Sequence, residues 1–176
     1  AALSVYRRER AAGRGRDKAV LETALLSRLR MLDRNVYESL PDGGDGAGAR
    51  LWKAVREEST LEDIAQAART KRYPLARMRR MLLCAALGVS AEYTKTLPPY
   101  ARVLAADSAG CAYLREIDGK SAVPVLTKPA AVRRLDGGAA KVFALGESVN
   151  DVYTLQNVTH SDKKCGRHWR NGPVIV

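Results

Sequence analysis

The chain has 176 residues, enough for one substantial core or two small ones, and its 46% hydrophobic content is ordinary for a soluble globular protein. Thirty Lys and Arg against nineteen Asp and Glu leave a net charge of +11, which points to a polyanionic partner: RNA, DNA or a membrane surface. No apolar run approaches the roughly 20 residues that span a bilayer and no basic-then-apolar leader opens the chain, so cytoplasm is the expected location. Cys84, Cys111 and Cys165 have no Cys-x-x-Cys spacing, which argues against a disulfide framework and a zinc ribbon and for free, reduced thiols.

Residues 1–16 begin with Ala and become rich in Arg and Gly, a flexible lead-in expected of an excerpt from something longer. From Asp17 the pattern turns helical: Leu21, Leu25, Leu29 and Leu32 recur at the spacing that lines one helix face. Residues 41–48 carry four glycines and predict a flexible loop, because each glycine weakens a helix or strand. A short helix with Leu51, Trp52 and Val55 follows. Ser59 with Glu62 three residues on predicts a capping box that opens the next helix, which buries Leu61, Ile64, Ala65 and Ala68. Pro74 suits the first turn of a further helix, and Gly88 suits its end.

After Pro98 and Pro99 the period changes. Residues 100–106 read as a buried strand holding Val103 and Leu104, residues around Cys111, Leu114 and Ile117 as a short helix, and residues 123–126 as a second, parallel strand. A turn at Asp136, Gly137 and Gly138 precedes residues 141–145. Asn150 is placed to cap a helix carrying Val152, Tyr153 and Leu155, with Tyr153 in the core, and residues 173–176 close as a terminal strand. The expected fold class is α+β: a lead-in over 1–16, a helical array of about four helices over 17–97 and a small α/β unit with a short, partly parallel sheet over 98–176.

The sharpest feature is residues 69–80, reading Arg-Thr-Lys-Arg-Tyr-Pro-Leu-Ala-Arg-Met-Arg-Arg, with six cations and no anion. On a helix starting near Pro74, Leu75, Met78, Leu82 and Ala85 share one face, which leaves Arg77 and Arg80 projecting opposite, towards solvent or phosphate. Arg79 falls beside the apolar stripe, where its stem is expected to be buried and its guanidinium to orient a neighbouring carboxylate or loop. Lys71, Arg72 and Tyr73 precede the helix, whose free N–H groups add to the attraction for phosphate, and Tyr73 is suited to stack on an unpaired base. A solvated basic face is the competing reading of such a charge run.

Catalytic patterns are poor. Gly119-Lys120-Ser121 mimics the tail of a phosphate-binding loop, but Leu114 stands where the leading glycine belongs. His160, Cys165 and His168 have metal-capable side chains in cationic surroundings without a fourth ligand, so no metal site is expected. No catalytic residue is assigned. Trp52 and Trp169 read as packing residues.

Leu26-Ser-Arg-Leu-Arg30, Leu40-Pro-Asp42, Thr70-Lys-Arg-Tyr73, Arg77-Met-Arg-Arg80, Pro98-Pro-Tyr-Ala-Arg-Val-Leu104 and Leu126-Thr-Lys128, in that order, resemble the second half of the bacterial tRNA(Met) cytidine acetate ligases. The resemblance implies a ligase that acetylates the wobble cytidine of elongator tRNA(Met), using ATP, with magnesium, and acetate through an acetyl adenylate. It places adenylation at a His-x-Gly-His motif in an amino-terminal nucleotidyltransferase domain, so no cofactor is expected in this fragment and that domain is an expected partner. By elimination this half should hold the tRNA, with Lys71, Arg72, Arg77 and Arg80 on phosphates, Arg69 in support, and Tyr73 positioning or stacking. The alternative is a scaffold that packs against the nucleotidyltransferase domain while that domain holds most of the tRNA. The glycine-rich residues 43–49 depart from the family's pattern and, lying on separate elements, are expected to leave the basic block unaffected.

Overall fold

The computed structural model describes residues 11, 15–95, 97–158, 163–166 and 173–175. Two compact units emerge, one of Ala1–Lys95 with Val152–Lys163 and the other of Thr96–Asp151 with Lys164–Val176. The architecture is α+β.

In the helical unit, α1 (Lys18–Met31), α2 (Arg34–Glu38), α3 (Ala47–Glu57), α4 (Leu61–Ala68) and α5 (Leu75–Leu87) follow in order. From α2 onward each helix packs on the next, and α1 closes the array against α3 and α5. The caps explain the boundaries. Asp17 accepts a hydrogen bond from the Ala19 amide at 3.0 Å and opens α1. Gly88, at φ 75°, ends α5 with two amide-to-carbonyl bonds back to Ala85 and Cys84, a conformation a side chain would strain. Leu29, Leu51, Val55, Ile64, Met78 and Met81 are completely buried at the centre, with Leu25 and Leu82 beside them. Backbone bonds from Asp17 to Gln156 and from Val158 to Gly15 attach residues 152–158 to the start of α1.

Three expectations change here. The capping box sits one residue later: Thr60, not Ser59, accepts from the Asp63 amide at 3.1 Å, and Glu62 is left to other partners. Helix α2 has no counterpart in the sequence pattern, since five residues are too few to show a period. Its Tyr37 is wholly buried, and an Arg34–Glu38 pair at 2.7 Å spans its single turn. Residues 41–48 are an ordered connection rather than a flexible loop. Amide-to-carbonyl bonds run from Gly43 to Leu40, from Ala47 to Gly44 and from Gly48 to Gly43, and Gly48 lies inside α3.

The second unit contains strands β1 (Ala101–Arg102), β2 (Ala105–Ala106), β3 (Val125–Leu126) and β4 (Val174–Ile175), with helices α6 (Ser108–Ile117) and α7 (Gly137–Thr154). The last turn of α7, from Val152, is counted with the helical unit. β1 pairs in parallel with β3, and β2 in parallel with β4. The expected single strand over 100–106 is therefore split, each piece taking a different partner, and Leu104 between them is 70% exposed. Asp107 caps α6 and Asp136 caps α7 through side-chain bonds of 2.7 and 2.8 Å. Asn150 lies inside α7 and donates to the Gly146 carbonyl instead of capping a helix. Leu126 and Phe143 form a small core, with Tyr100 tilted against Phe143 at 5.9 Å. Tyr153, expected in the core, is 43% exposed with the Arg16 guanidinium over its ring. Among the described residues no helix is long and apolar enough to cross a membrane.

Candidate nucleic-acid interface

The basic cluster occupies the connection between α4 and α5 and the first turns of α5. Arg50 reaches from α3 to the Ala68 carbonyl at 2.9 Å and the Ala67 carbonyl at 3.3 Å, satisfying the end of α4. Thr70 and Tyr73 exchange backbone bonds of 3.0 and 3.1 Å, which folds residues 70–73 into a tight turn. Pro74 follows as the cap residue of α5.

The connection at residues 41–46 supplies the counter-groups. Asp45 pairs with Arg72 at 2.8 Å, and its carbonyl accepts the Tyr73 hydroxyl. The Asp42 carboxylate accepts from Arg80 and the Asp42 carbonyl from Arg77. Asp42 and Asp45 both have positive φ, 64° and 59°, which Asp tolerates better than most side chains. The expectation that this glycine-rich stretch leaves the basic block unaffected is thus overturned. It forms the other half of the cluster, and what the sequence offers as a signal is only the pair of aspartates set among glycines.

Arg79 grips Glu62 of α4 through two bonds, 3.0 and 2.6 Å, as its place beside the apolar stripe predicts. That bidentate contact holds the Glu62 carboxyl below the usual carboxylate range and raises the Arg79 guanidinium further.

Two expected contacts change character. Tyr73 is 8% exposed, its hydroxyl tied to Asp45 and its ring covered by the Arg77 guanidinium at 5.1 Å, so it anchors the turn and offers no face to a base. Arg77 is half-buried between that ring and the Asp42 carbonyl, and its Nε has no hydrogen-bond partner among the described residues. It does not project freely as helix geometry suggests, because the connection at residues 41–46 covers that side of α5.

The remaining cations are accessible. Arg69 and Lys71 are exposed and carry no ion pair to a described residue. Arg72 and Arg80 keep 66% and 59% of their side-chain surface open despite their aspartates. Six cations meet Asp42, Asp45 and Glu62, leaving an excess of three positive charges. Exposed single-contact pairs such as Arg72–Asp45 and Arg80–Asp42 are worth little, so a phosphate can share these guanidinium groups with the carboxylates.

The Gly119-Lys120-Ser121 stretch builds no phosphate cradle. Gly119, Lys120 and Ser121 follow α6 rather than preceding a helix, and the Lys120 and Ser121 amides are taken by the Ile117 carbonyl. Among the described residues no three His, Cys, Asp or Glu side chains gather as metal ligands, and His160, His168 and Trp169 lie outside those residues.

A sequence model of the family described as HIGH Nucleotidyl Transferase matches residues 2–167. The chain belongs to this family. Relatives of this HIGH nucleotidyl transferase chain are named tRNA(Met) cytidine acetate ligase. That of Syntrophomonas wolfei is 27% identical over 97% of this chain and 43% of its own length. That of Clostridium kluyveri is 38% identical over 51% of this chain and 23% of its own length. The chain thus spans less than half of these relatives. Crystal structures of Thermotoga maritima TmcAL share the fold. The apo form has a TM-score of 0.84 at 20% identity, covering 98% of this chain and 44% of that one. A form bound with alpha-thio ATP has a TM-score of 0.83 at 21% identity, with 98% and 45% covered. Within this HIGH nucleotidyl transferase chain, His160 is followed by Ser161 and Asp162, and His168 by Trp169 and Arg170, so neither opens a His-x-Gly-His sequence.

Proposed function

We propose that this chain is the carboxy-terminal, tRNA-holding portion of a tRNA(Met) cytidine acetate ligase, and that acetate activation with ATP belongs to sequence outside these 176 residues. The observation that carries this reading is the accessible cationic surface formed by Arg69, Lys71, Arg72 and Arg80. Support comes from the ligase relatives and from the missing His-x-Gly-His signature. Without that signature, the work proposed for the described residues is not adenylation. Their work is to bind phosphates and fix the register of the tRNA, since backbone contacts position a nucleic acid without reading its sequence. Arg77 and Tyr73 serve by shaping the surface.

Arg69→Glu with Lys71→Glu tests the reading cleanly, because neither side chain holds the fold through an ion pair among the described residues. Filter binding to an elongator tRNA(Met) transcript is expected to weaken about tenfold or more, with the salt dependence shallower by about two contacts. Unchanged affinity and slope would refute the assignment.

The three ion pairs favour a second reading, a scaffold whose charges serve its own packing. Under it the chain does not retain tRNA even at low salt. The family's description favours a third, in which this stretch itself adenylates. Release of pyrophosphate from ATP and acetate by this chain would establish that reading over the proposed one.

A further inference from the structure

Resting on the reading of the basic cluster as an RNA surface, we infer that Asp42 and Asp45 are positioning residues for it, holding Arg80 and Arg72 in the geometry a phosphate backbone requires. A guanidinium has five N–H donors, and each of these aspartates engages its arginine through a single Nη2–Oδ2 contact. The rest of both side chains stays more than half open. An arginine so held can present its outer edge to a phosphate while its inner edge remains on the carboxylate.

The carboxylates sit on a rigid support rather than a swinging strap. A Cβ at Gly43 would fall 2.5 Å from the Tyr37 carbonyl oxygen, and one at Gly48 would fall 2.3 Å from the same atom, so the backbone directly after Asp42 and on both sides of Asp45 is pressed against the end of α2. The aspartate carbonyls are engaged as well, with Tyr73 and Arg77. Residues 28 to 38 positions apart in the chain are thereby locked into one surface. Long, rotamer-rich side chains ordered before the ligand arrives lose less freedom on binding, which strengthens association without adding a contact.

Plain Coulomb repulsion says that deleting two anions beside a polyanion tightens binding, whereas positioning says that it weakens it. Glycine preserves the left-handed backbone at both sites, and Asn keeps both that backbone and an acceptor oxygen. Fluorescence anisotropy with an elongator tRNA(Met) transcript, on the full chain, is expected to show Asp42→Gly with Asp45→Gly binding about threefold to tenfold more weakly. The salt slope is expected to become shallower, since phosphate contacts are lost, and Asp42→Asn with Asp45→Asn is expected to restore both. Thermal melts separate this from unfolding. If the glycine variant melts early, the Asn variant decides alone: affinity and slope near those of the unaltered chain support positioning, and a marked loss refutes it. Equal or tighter binding by a folded glycine variant overturns the inference while leaving the RNA reading intact. No binding by the unaltered chain at low salt overturns both, and that trace alone distinguishes the two failures.

Discussion

The Tyr37 hydroxyl donates to the Leu29 carbonyl at 2.5 Å and, with its ring wholly buried, fastens the short helix α2 to the end of α1. Burial pushes its phenol from 10.0 to about 12, against the pull of the Arg56 guanidinium. Tyr37→Phe is expected to cost about 1 kcal/mol in urea denaturation, the net value of a hydrogen bond. Tyr37→Ala is expected to cost about 4 kcal/mol, because a cavity is added.

The same residue predicts an alkaline limb. Between pH 10.0 and about 12 the unfolded chain ionises this phenol and the folded chain does not, so stability falls as pH rises through that window. Tyr37→Phe should remove that component: the difference between the two proteins, measured by melts from pH 9 upward, should shrink as the pH increases. A constant difference would show that the phenol is not held neutral.

Gly48 and Gly44 make a contrast within a few residues. An added Cβ at Gly48 would lie 2.3 Å from the Tyr37 carbonyl oxygen, while at Gly44 nothing lies within 4 Å. Gly48→Ala is expected to destabilise by about 3 kcal/mol or more, since backbone rather than a flexible side chain must give way. Gly44→Ala is expected to lie within about 0.5 kcal/mol of the original in the same denaturation series, as surface changes usually do. Equal effects would show that residues 41–48 are not packed as described.

Arg79 and Glu62 provide an acid-side prediction. Because the Glu62 carboxyl is held below its ordinary value, its contribution is fully present above the ordinary carboxylate range and is lost as pH falls through the lowered value. Melts of the unaltered chain and of Arg79→Met should differ at pH 7 and converge in acid. The pair is solvent-exposed, so the difference should also narrow in high salt. Persistence of the full difference at acid pH would mean that Arg79 acts through packing of its stem alone.

Local signals carried the helical half of the fold. Leu21, Leu25, Leu29 and Leu32 announce α1, the apolar stripe of Leu75, Met78, Leu82 and Ala85 announces α5, and Pro74 and Gly88 mark its limits, because period and caps are properties of neighbours in the chain. The strand-helix-strand order of the second unit was legible for the same reason. The two-residue strands were not, since a ladder that short is decided by its partner rather than by alternation.

The cationic cluster, too, stood out in the run of residues 69–80, and helical spacing marked Arg79 for a role within the fold, which its contact with Glu62 fulfils. What only tertiary structure decided is which of those charges remain available. Asp42 and Asp45 lie tens of residues from Arg72, Arg77 and Arg80, and their glycine-rich setting reads locally as a flexible tether. The close packing of Gly43 and Gly48 against Tyr37 turns that stretch into a fixed support. Contacts between distant segments arise from steric fit across the assembled core, and no local period or cap encodes them.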